Sequence, residues 1–474
     1  MRAILLVALG AVLVWQVATR SLVAYLAAAA PETALMLDAS APTALLSLAD
    51  GGLAGLDLDR KAGSEPAAAP DPESAPQSKA EASREASERL RIWAELAKGV
   101  DKGARAEQAS SFAKPPAAPG TSARAGGRTR DQVRDWAELA LGADPLNAHA
   151  LRILGQLADA NGDDTRASQY MRAAARGSIR ESVAVYWLMR KSYENADYPT
   201  TIYYADVLLR TRSETMPYVM PTLVQMAQSK DANGELKKLL AGNPPWRAQF
   251  FSVLPKNVAD ARIPLDLLLA AKDTPTPPKP ADLKPYLDVL IAHKYFELAY
   301  YVWLQFIGPE QLRSIGLLYN GSFEVSPSGL PFDWVWRAGA GVTIDILDRP
   351  DQEGQHALLI EFGQGRVEFP GMAQLIMLAP GTYRFKGKYK GELVGRRGLI
   401  WRVLCAGGGG APIGESAMAA GPAPAWRDIE FSFTVPTANC RAQQLRLDLD
   451  ARMASEQLVS GSVWHDDLRI QRVE

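Results

Sequence analysis

A chain of 474 residues is too long for one hydrophobic core, so two or three domains are expected. Its 47% hydrophobic content supplies full cores, and the net charge of −1, from 52 Lys and Arg against 53 Asp and Glu, lacks the basic excess of a nucleic-acid-binding chain. Four scattered histidines without metal-ligand spacing, and two cysteines without a Cys-x-x-Cys pattern, argue against a zinc site.

Residues 3–18, AILLVALGAVLVWQVA, are apolar apart from Gln16. Thr19–Arg20–Ser21 interrupts, and LVAYLAAAA then runs to Pro31. Two readings compete. As a secretory signal, the run ends in a small-residue cleavage site at Ala28–Ala29–Ala30. As an anchor, it is somewhat short for a bilayer of about 30 Å, with Arg20 snorkelling to the far interface. A polar break followed by more apolar residues is unlike a signal peptide, so residues 1–30 are read as an uncleaved transmembrane helix. Either reading exports the rest of the chain; a buried soluble helix is the plain alternative. The expected location is the inner (cytoplasmic) membrane, single pass, with the bulk of the chain periplasmic.

Residues 31–58 read as an isolated helical hairpin, or an outlying unit of the helical repeats that follow cut off by an insertion, with Ala34, Leu35, Leu45, Leu46 and Leu48 as its apolar positions. Residues 59–128 are Ala/Pro/Ser/Glu-rich and cannot bury enough apolar surface to fold. Inside them, Leu90, Trp93 and Leu96 mark one face of a short amphipathic helix.

Residues 129–318 carry a repeat. With Ala148 as the first position of a unit, the first helix has the pair Leu154–Gly155, the turn is Asn161–Gly162–Asp163, and the second helix has Ala167 and Ala174. Thirty-four residues on, the equivalents are Leu188–Met189, Asn195–Ala196–Asp197, Thr201 and Leu208; one unit back, Pro145 follows Ala137 and Ala140. This spacing resembles the tetratricopeptide repeat, a 34-residue helical hairpin. The resemblance is good over about two units. A third unit, from Met216, keeps Leu223 and Met226 but contains Pro217 and Pro221. After a breaker-rich stretch at 272–285, residues 281–313 form a last helix pair, apolar nearly all round and expected to be buried. Stacked hairpins of this kind, or a generic helical array, imply a curved surface for a protein partner.

Residues 319–474 change to period two. Ile429, Phe431, Phe433 and Val435 fall on one face, as do Leu445, Leu447 and Leu449, and Leu399, Trp401, Val403 and Cys405. Short strands with Gly/Pro turns predict an antiparallel β-sandwich, so the chain as a whole is multidomain, α + β. The module opens with LYNGSFE and closes with GSVWHDDLRI. These ends resemble jelly-roll carbohydrate-binding modules, the galactose-binding-like sandwiches. The resemblance implies first and last strands side by side, with Glu324 and Asp467 sharing a structural calcium, an ion that takes oxygen ligands. It also implies sugar platforms, for which Trp334, Trp336, Tyr383, Tyr389, Trp426 and Trp464 are the candidates. Arg384, Lys386, Lys388 and Lys390 form a cationic row suited to an acidic polysaccharide or lipid headgroups, or else a solvated edge strand. Cys405 ends one strand and Cys440 precedes another, so the two are expected to pair as a disulfide in an oxidising compartment and to remain buried thiols in a reducing one.

DANGDD at 159–164 has Tyr170 where a calcium loop needs an acid, and GGGG at 407–410 has no following Gly-Lys. Ser416 lacks the second glycine of a nucleophile elbow. No cofactor is expected beyond the calcium. The function expected is a non-enzymatic scaffold in cell-envelope polysaccharide assembly or export, holding a protein on its repeats and glycan on its sandwich. The alternatives are a pure protein-interaction scaffold, and a glycan-cleaving enzyme using carboxylates such as Asp345, Glu361 and Glu368.

Overall fold

Side-chain caps set where the helices of the first half begin. In the computed structural model, which describes residues 2–62, 129–313, 315–349, 351–408 and 410–473, Thr129 opens α4 (Arg130–Ala143) with a capping box to Gln132. Asn147 caps α5 (Ala148–Ala160), Asp163 caps α6 (Asp164–Gly177), and Asp197 caps α8 (Tyr198–Thr211), each accepting an orphan backbone N–H. Between the last two lies α7 (Ser182–Glu194). The turns at 161–163 and 195–197 share one geometry. Asp163 N–H reaches Ala158 O, and Asp197 N–H reaches Ser192 O, both at 2.9 Å. The middle residue is left-handed in each: Gly162 at φ +77° and Ala196 at φ +57°. Where α5 crosses α6, a Cβ on Gly155 would lie 3.0 Å from Met171 Sδ, so a larger residue there would push the methionine side chain aside. Ala137, Ala140, Ala167, Ala174, Thr201 and Leu208 are all fully buried at the expected helix contacts. Asp163 as a helix cap also accounts for DANGDD as a hairpin turn.

Residues before the repeats depart from expectation in one respect. α1 (Arg2–Ala29) passes through Thr19–Arg20–Ser21 without a break, and α2 (Pro31–Leu37) and α3 (Pro42–Ala62) follow. The hairpin expected at 31–58 is not isolated. Leu45, Leu46 and Ala49 of α3 share a core with Val133, Ala137 and Ala140 of α4 and with Ile153, Leu154 and Leu157 of α5. Asp50 binds His149 and Arg152, both at 2.6 Å. The two guanidinium and imidazole partners hold its carboxyl below the usual range against the opposing effect of burial. The helices on either side of residues 63–128 thus pack on each other; residues 59–62 of the stretch expected to be disordered belong to α3, and the rest of that stretch, with the Leu90–Trp93–Leu96 helix expected in it, lies outside the described residues. Among the described residues, no helix is long and apolar enough to cross a membrane.

The chain divides into two units, one running to Leu239 with Pro244–Trp246, the other comprising Leu240–Asn243 and Arg247 onward. After α9 (Met216–Gln228) and α10 (Lys230–Ala241), the second unit has α11 (Arg247–Asn257), α12 (Arg262–Lys272), α13 (Pro280–Ala292), α14 (Phe296–Gln305) and α15 (Pro309–Arg313). The α13–α14 turn repeats the geometry above, with Tyr295 N–H on Leu290 O and Lys294 at φ +62°. Burial of this pair on all sides is not observed. Phe296, Ala299, Val302 and Trp303 are buried, whereas Tyr295, Leu298 and Tyr301 are exposed, because α14 has one packed face only.

The sandwich consists of two five-stranded sheets. One has the order β1 (Val335–Trp336), β4 (Met372–Ile376), β9 (Gln443–Leu449), β6 (Leu399–Cys405), β7 (Gly414–Glu415). The other has the order β2 (Val342–Arg349), β3 (Gln352–Phe362), β10 (Val459–Arg472), β5 (Gly381–Gly395), β8 (Gly421–Val435). All pairings are antiparallel. The period-two faces meet in one core, where Trp334, Trp401, Phe323 and Phe385 are fully buried among Leu358, Ile360, Leu445 and Leu447. Cys405, at the end of a strand, and Cys440, in the loop before another, form a disulfide. The opening segment does lie beside the last strand, since Leu468 N–H donates to Gly321 O at 2.9 Å. It is not itself a strand: Asn320 at φ +49° and Phe323 at φ +58° are left-handed, which no extended ladder tolerates.

Candidate functional site

Alternation along the strands of the β2–β3–β10–β5–β8 sheet decides which side chains leave the core. Val463 and His465 point inward, so Ser462, Trp464 and Asp466 of the middle strand point outward. Register then fixes their neighbours. Trp464 sits between Leu359 of β3 and Lys390 of β5, with Asp345 of β2 beyond Leu359. The next row holds Thr343, Glu361, Ser462 and Glu392. Trp464 is half-buried, so one aromatic surface lies among carboxylates, hydroxyls and an ammonium. Lys390 makes no ion pair among the described residues.

One end of this face is closed. Arg349, on edge strand β2, donates to Asp466 Oδ2 at 2.8 Å and to Asp351, and its guanidinium lies 4.8 Å from the ring centroid of Trp426. Trp426, on the opposite edge strand β8, donates its indole N–H to Asp351 at 2.8 Å. Side chains from both edges therefore meet over the middle strand. Burial pushes the Asp466 carboxyl up to about 6, with Asp467 and Glu324 adding to the shift and Arg349 and the Asp467 amide opposing it.

Of the six aromatic candidates, the structure brings Trp464 and Trp426 to this outer face. Trp334 and Tyr383 are buried core residues and offer no surface for stacking; the Trp334 indole donates to Asn320 O at 2.8 Å, and the Tyr383 hydroxyl to Ala379 O at 2.8 Å. Trp336 and Tyr389 pack on the core side, because they share parity with its residues.

The cationic row does project outward, but β5 is an interior strand, not a solvated edge. Three of its cations have partners: Arg384 lies 3.2 Å and Lys386 3.7 Å from Glu430, and Lys388 lies 2.7 Å from Asp467. Lys390 is left beside Trp464.

The two residues named for calcium are each engaged with another side chain or amide. Glu324 accepts from the His356 backbone N–H at 3.2 Å and lies 3.1 Å from its Nδ1, and Asp467 is held by Lys388. Among the described residues no group of three or more His, Cys, Asp or Glu is arranged to hold a metal.

Arg349, Asp351, Ser462 and Glu392 escaped the sequence reading. Period two along β10 marks Ser462 as sharing a face with Trp464. The remaining neighbours depend on cross-strand register, which this sequence does not reveal.

No family model matches the chain, and no curated protein matches it. Solved structures similar to it include one described as "CBM4 structure and function", at 15% identity, covering 33% of this chain and 99% of that one, with a TM-score of 0.24. TmCBM61 in complex with beta-1,4-galactotriose is similar at 19% identity, over 34% of this chain and 100% of that one, with a TM-score of 0.24. The CBM22-1 xylan-binding domain from Paenibacillus barcinonensis is similar at 19% identity, over 32% and 92%, with a TM-score of 0.23.

Proposed function

We propose that this chain is a non-enzymatic scaffold of the cell envelope, whose sandwich binds glycan on the Trp464 face and whose helical hairpins, of the tetratricopeptide type, hold a protein. The observation that carries the glycan reading is the half-buried Trp464 on the middle strand, ringed by Asp345, Glu361, Ser462, Lys390 and Glu392. Sugar rings stack their apolar faces on an indole while their hydroxyls take hydrogen bonds from such a ring of polar groups. The N-terminal helix, which is not long and apolar enough among its described residues to cross a bilayer, would lie against lipid through its exposed Val14, Trp15, Val17, Leu22 and Tyr25. The Cys405–Cys440 disulfide agrees with a periplasmic location.

The test is binding of the full chain to an array of bacterial polysaccharides. Trp464→Ala is expected to weaken binding about tenfold or more, since one stacking platform is worth roughly 1–3 kcal/mol on a comparable aromatic surface. Binding that is indifferent to Trp464→Ala, or absent altogether, leaves the sandwich as a structural or protein-binding cap. One observation favours cleavage as a second reading: Asp345 and Glu361 are diagonal neighbours on the same face, a spacing of about 7–8 Å between backbones that suits paired carboxylates. Release of reducing ends from a bound polysaccharide, abolished by Glu361→Gln, would establish it in place of the scaffold reading.

A further inference from the structure

The helical unit holds an open groove of about 980 Å³ bounded by α6, α7 and α8. Its floor includes Trp187 and Leu188, both buried. Its walls carry cations in two distinct conditions. Lys191 is engaged, 2.6 Å from Asp164 and 3.8 Å from Glu194. Arg172 and Arg176, one turn apart on α6, are exposed and make no ion pair or hydrogen bond among the described residues. Both line the same groove as Tyr203 and Tyr204 of α8. Tyr203 is 59% exposed. The remaining carboxylate on the lining, Asp197, is turned to the start of α8 as its cap. The groove therefore carries unneutralised positive charge on one wall and an exposed aromatic ring on α8.

We propose that this groove binds an extended acidic peptide whose carboxylates are spaced two residues apart, one on Arg172 and the next on Arg176. The spacing follows from geometry. Side chains one helical turn apart stand about 5–6 Å from each other. Alternate side chains of an extended chain stand about 6.5–7 Å apart on one face. Adjacent acids in an extended chain face opposite ways, so only the alternating arrangement serves both guanidiniums. The intervening side chain turns towards Tyr203, where an aromatic or apolar residue is favoured. Arginine suits this task because its planar fork takes a carboxylate through two hydrogen bonds. The assignment deepens, and rests on, the reading of the hairpins as a protein-holding scaffold.

The test uses the full chain and three labelled ten-residue peptides: Glu alternating with Tyr, the same composition with the Glu residues in one block, and a Gln-for-Glu version of the first. Fluorescence anisotropy is expected to show the alternating acidic peptide binding about tenfold more tightly than either control, the scale set by two exposed charge pairs. Arg172→Glu with Arg176→Glu is expected to remove that preference and leave the helical circular dichroism unchanged, since neither side chain has a partner to lose. Equal binding of the Glu and Gln peptides, weakened by Tyr203→Ala, would overturn the acidic assignment and retain the scaffold reading. No binding of any peptide would overturn both. Preferential binding of a polyuronate oligosaccharide, lost in the double arginine variant, would overturn the peptide in favour of a glycan.

Discussion

His465 is fully buried between Trp401 and Tyr389, with ring centroids 5.7 and 6.4 Å away, and neither of its nitrogens has a hydrogen-bond partner. Burial lowers its pKa from 6.5 to about 3. Below pH 6.5 the unfolded chain takes up a proton that the folded chain refuses, so stability falls as pH falls from 6.5 towards 3. Above pH 6.5 the residue contributes no pH dependence. The slope attributable to one such group is about 1.4 kcal/mol per pH unit. Asp466 works in the opposite sense below about pH 6, because its folded form gains a proton first. The two are separated by comparing wild type with His465→Phe in urea unfolding at pH 4, 5, 6 and 7. The variant is expected to lose the histidine's acid sensitivity and to be more stable at pH 7 by about 1–3 kcal/mol, having no unsatisfied ring nitrogen. Parallel pH curves for the two proteins would refute this account.

Elements of the second unit are tied by an ion pair with almost no access to water. Arg247, in the first turn of α11, binds Asp282, in the first turn of α13, at 2.8 Å. It also donates to the carbonyls of Leu240, Thr276 and Pro277, so one guanidinium joins four chain segments. Asp282 accepts the Lys279 backbone N–H as well. Removing one partner leaves the other charge buried and unpaired, which costs about 3–5 kcal/mol. Arg247→Met is therefore expected to lower stability by that amount in thermal or denaturant unfolding. Adding Asp282→Leu should recover much of the loss; a double variant as unstable as the single one would mean that the carbonyl contacts, not the ion pair, hold these helices.

At the scale of the molecule, the disulfide joins the end of β6 to the loop before β9, closing 35 residues of sandwich. Loops of this length are stabilised by roughly 3–4 kcal/mol through the restricted unfolded chain. Reducing agent should lower the sandwich's unfolding midpoint accordingly and leave the first unit's transition in place. A chain whose melting is unchanged by reduction would show that the bridge adds nothing to stability. The same bridge links location to folding, because it persists only where thiols are oxidised.

The sequence alone determined those features that depend on near neighbours. The turns ending in Asp163 and Asp197 announce helix starts because a cap acts within three residues, and the buried alanines follow from a 34-residue repetition of one hairpin. Period two in residues 429–435, 445–449 and 399–405 settled which side chains form the sandwich core. Tertiary structure decided what depends on partners distant along the chain. Strand order put the lysine row of β5 inside a sheet and set carboxylates of β8 and β10 against it. Parity alone could not separate Trp464 from Trp334, since one needs a register and the other a core to declare its side. Packing of α3 on α4, across the stretch that intervenes, also took the tertiary structure to establish: the hairpin's likeness to the repeats suggested an outlying unit, but the apolar residues of a helix state that it has a partner and not which one.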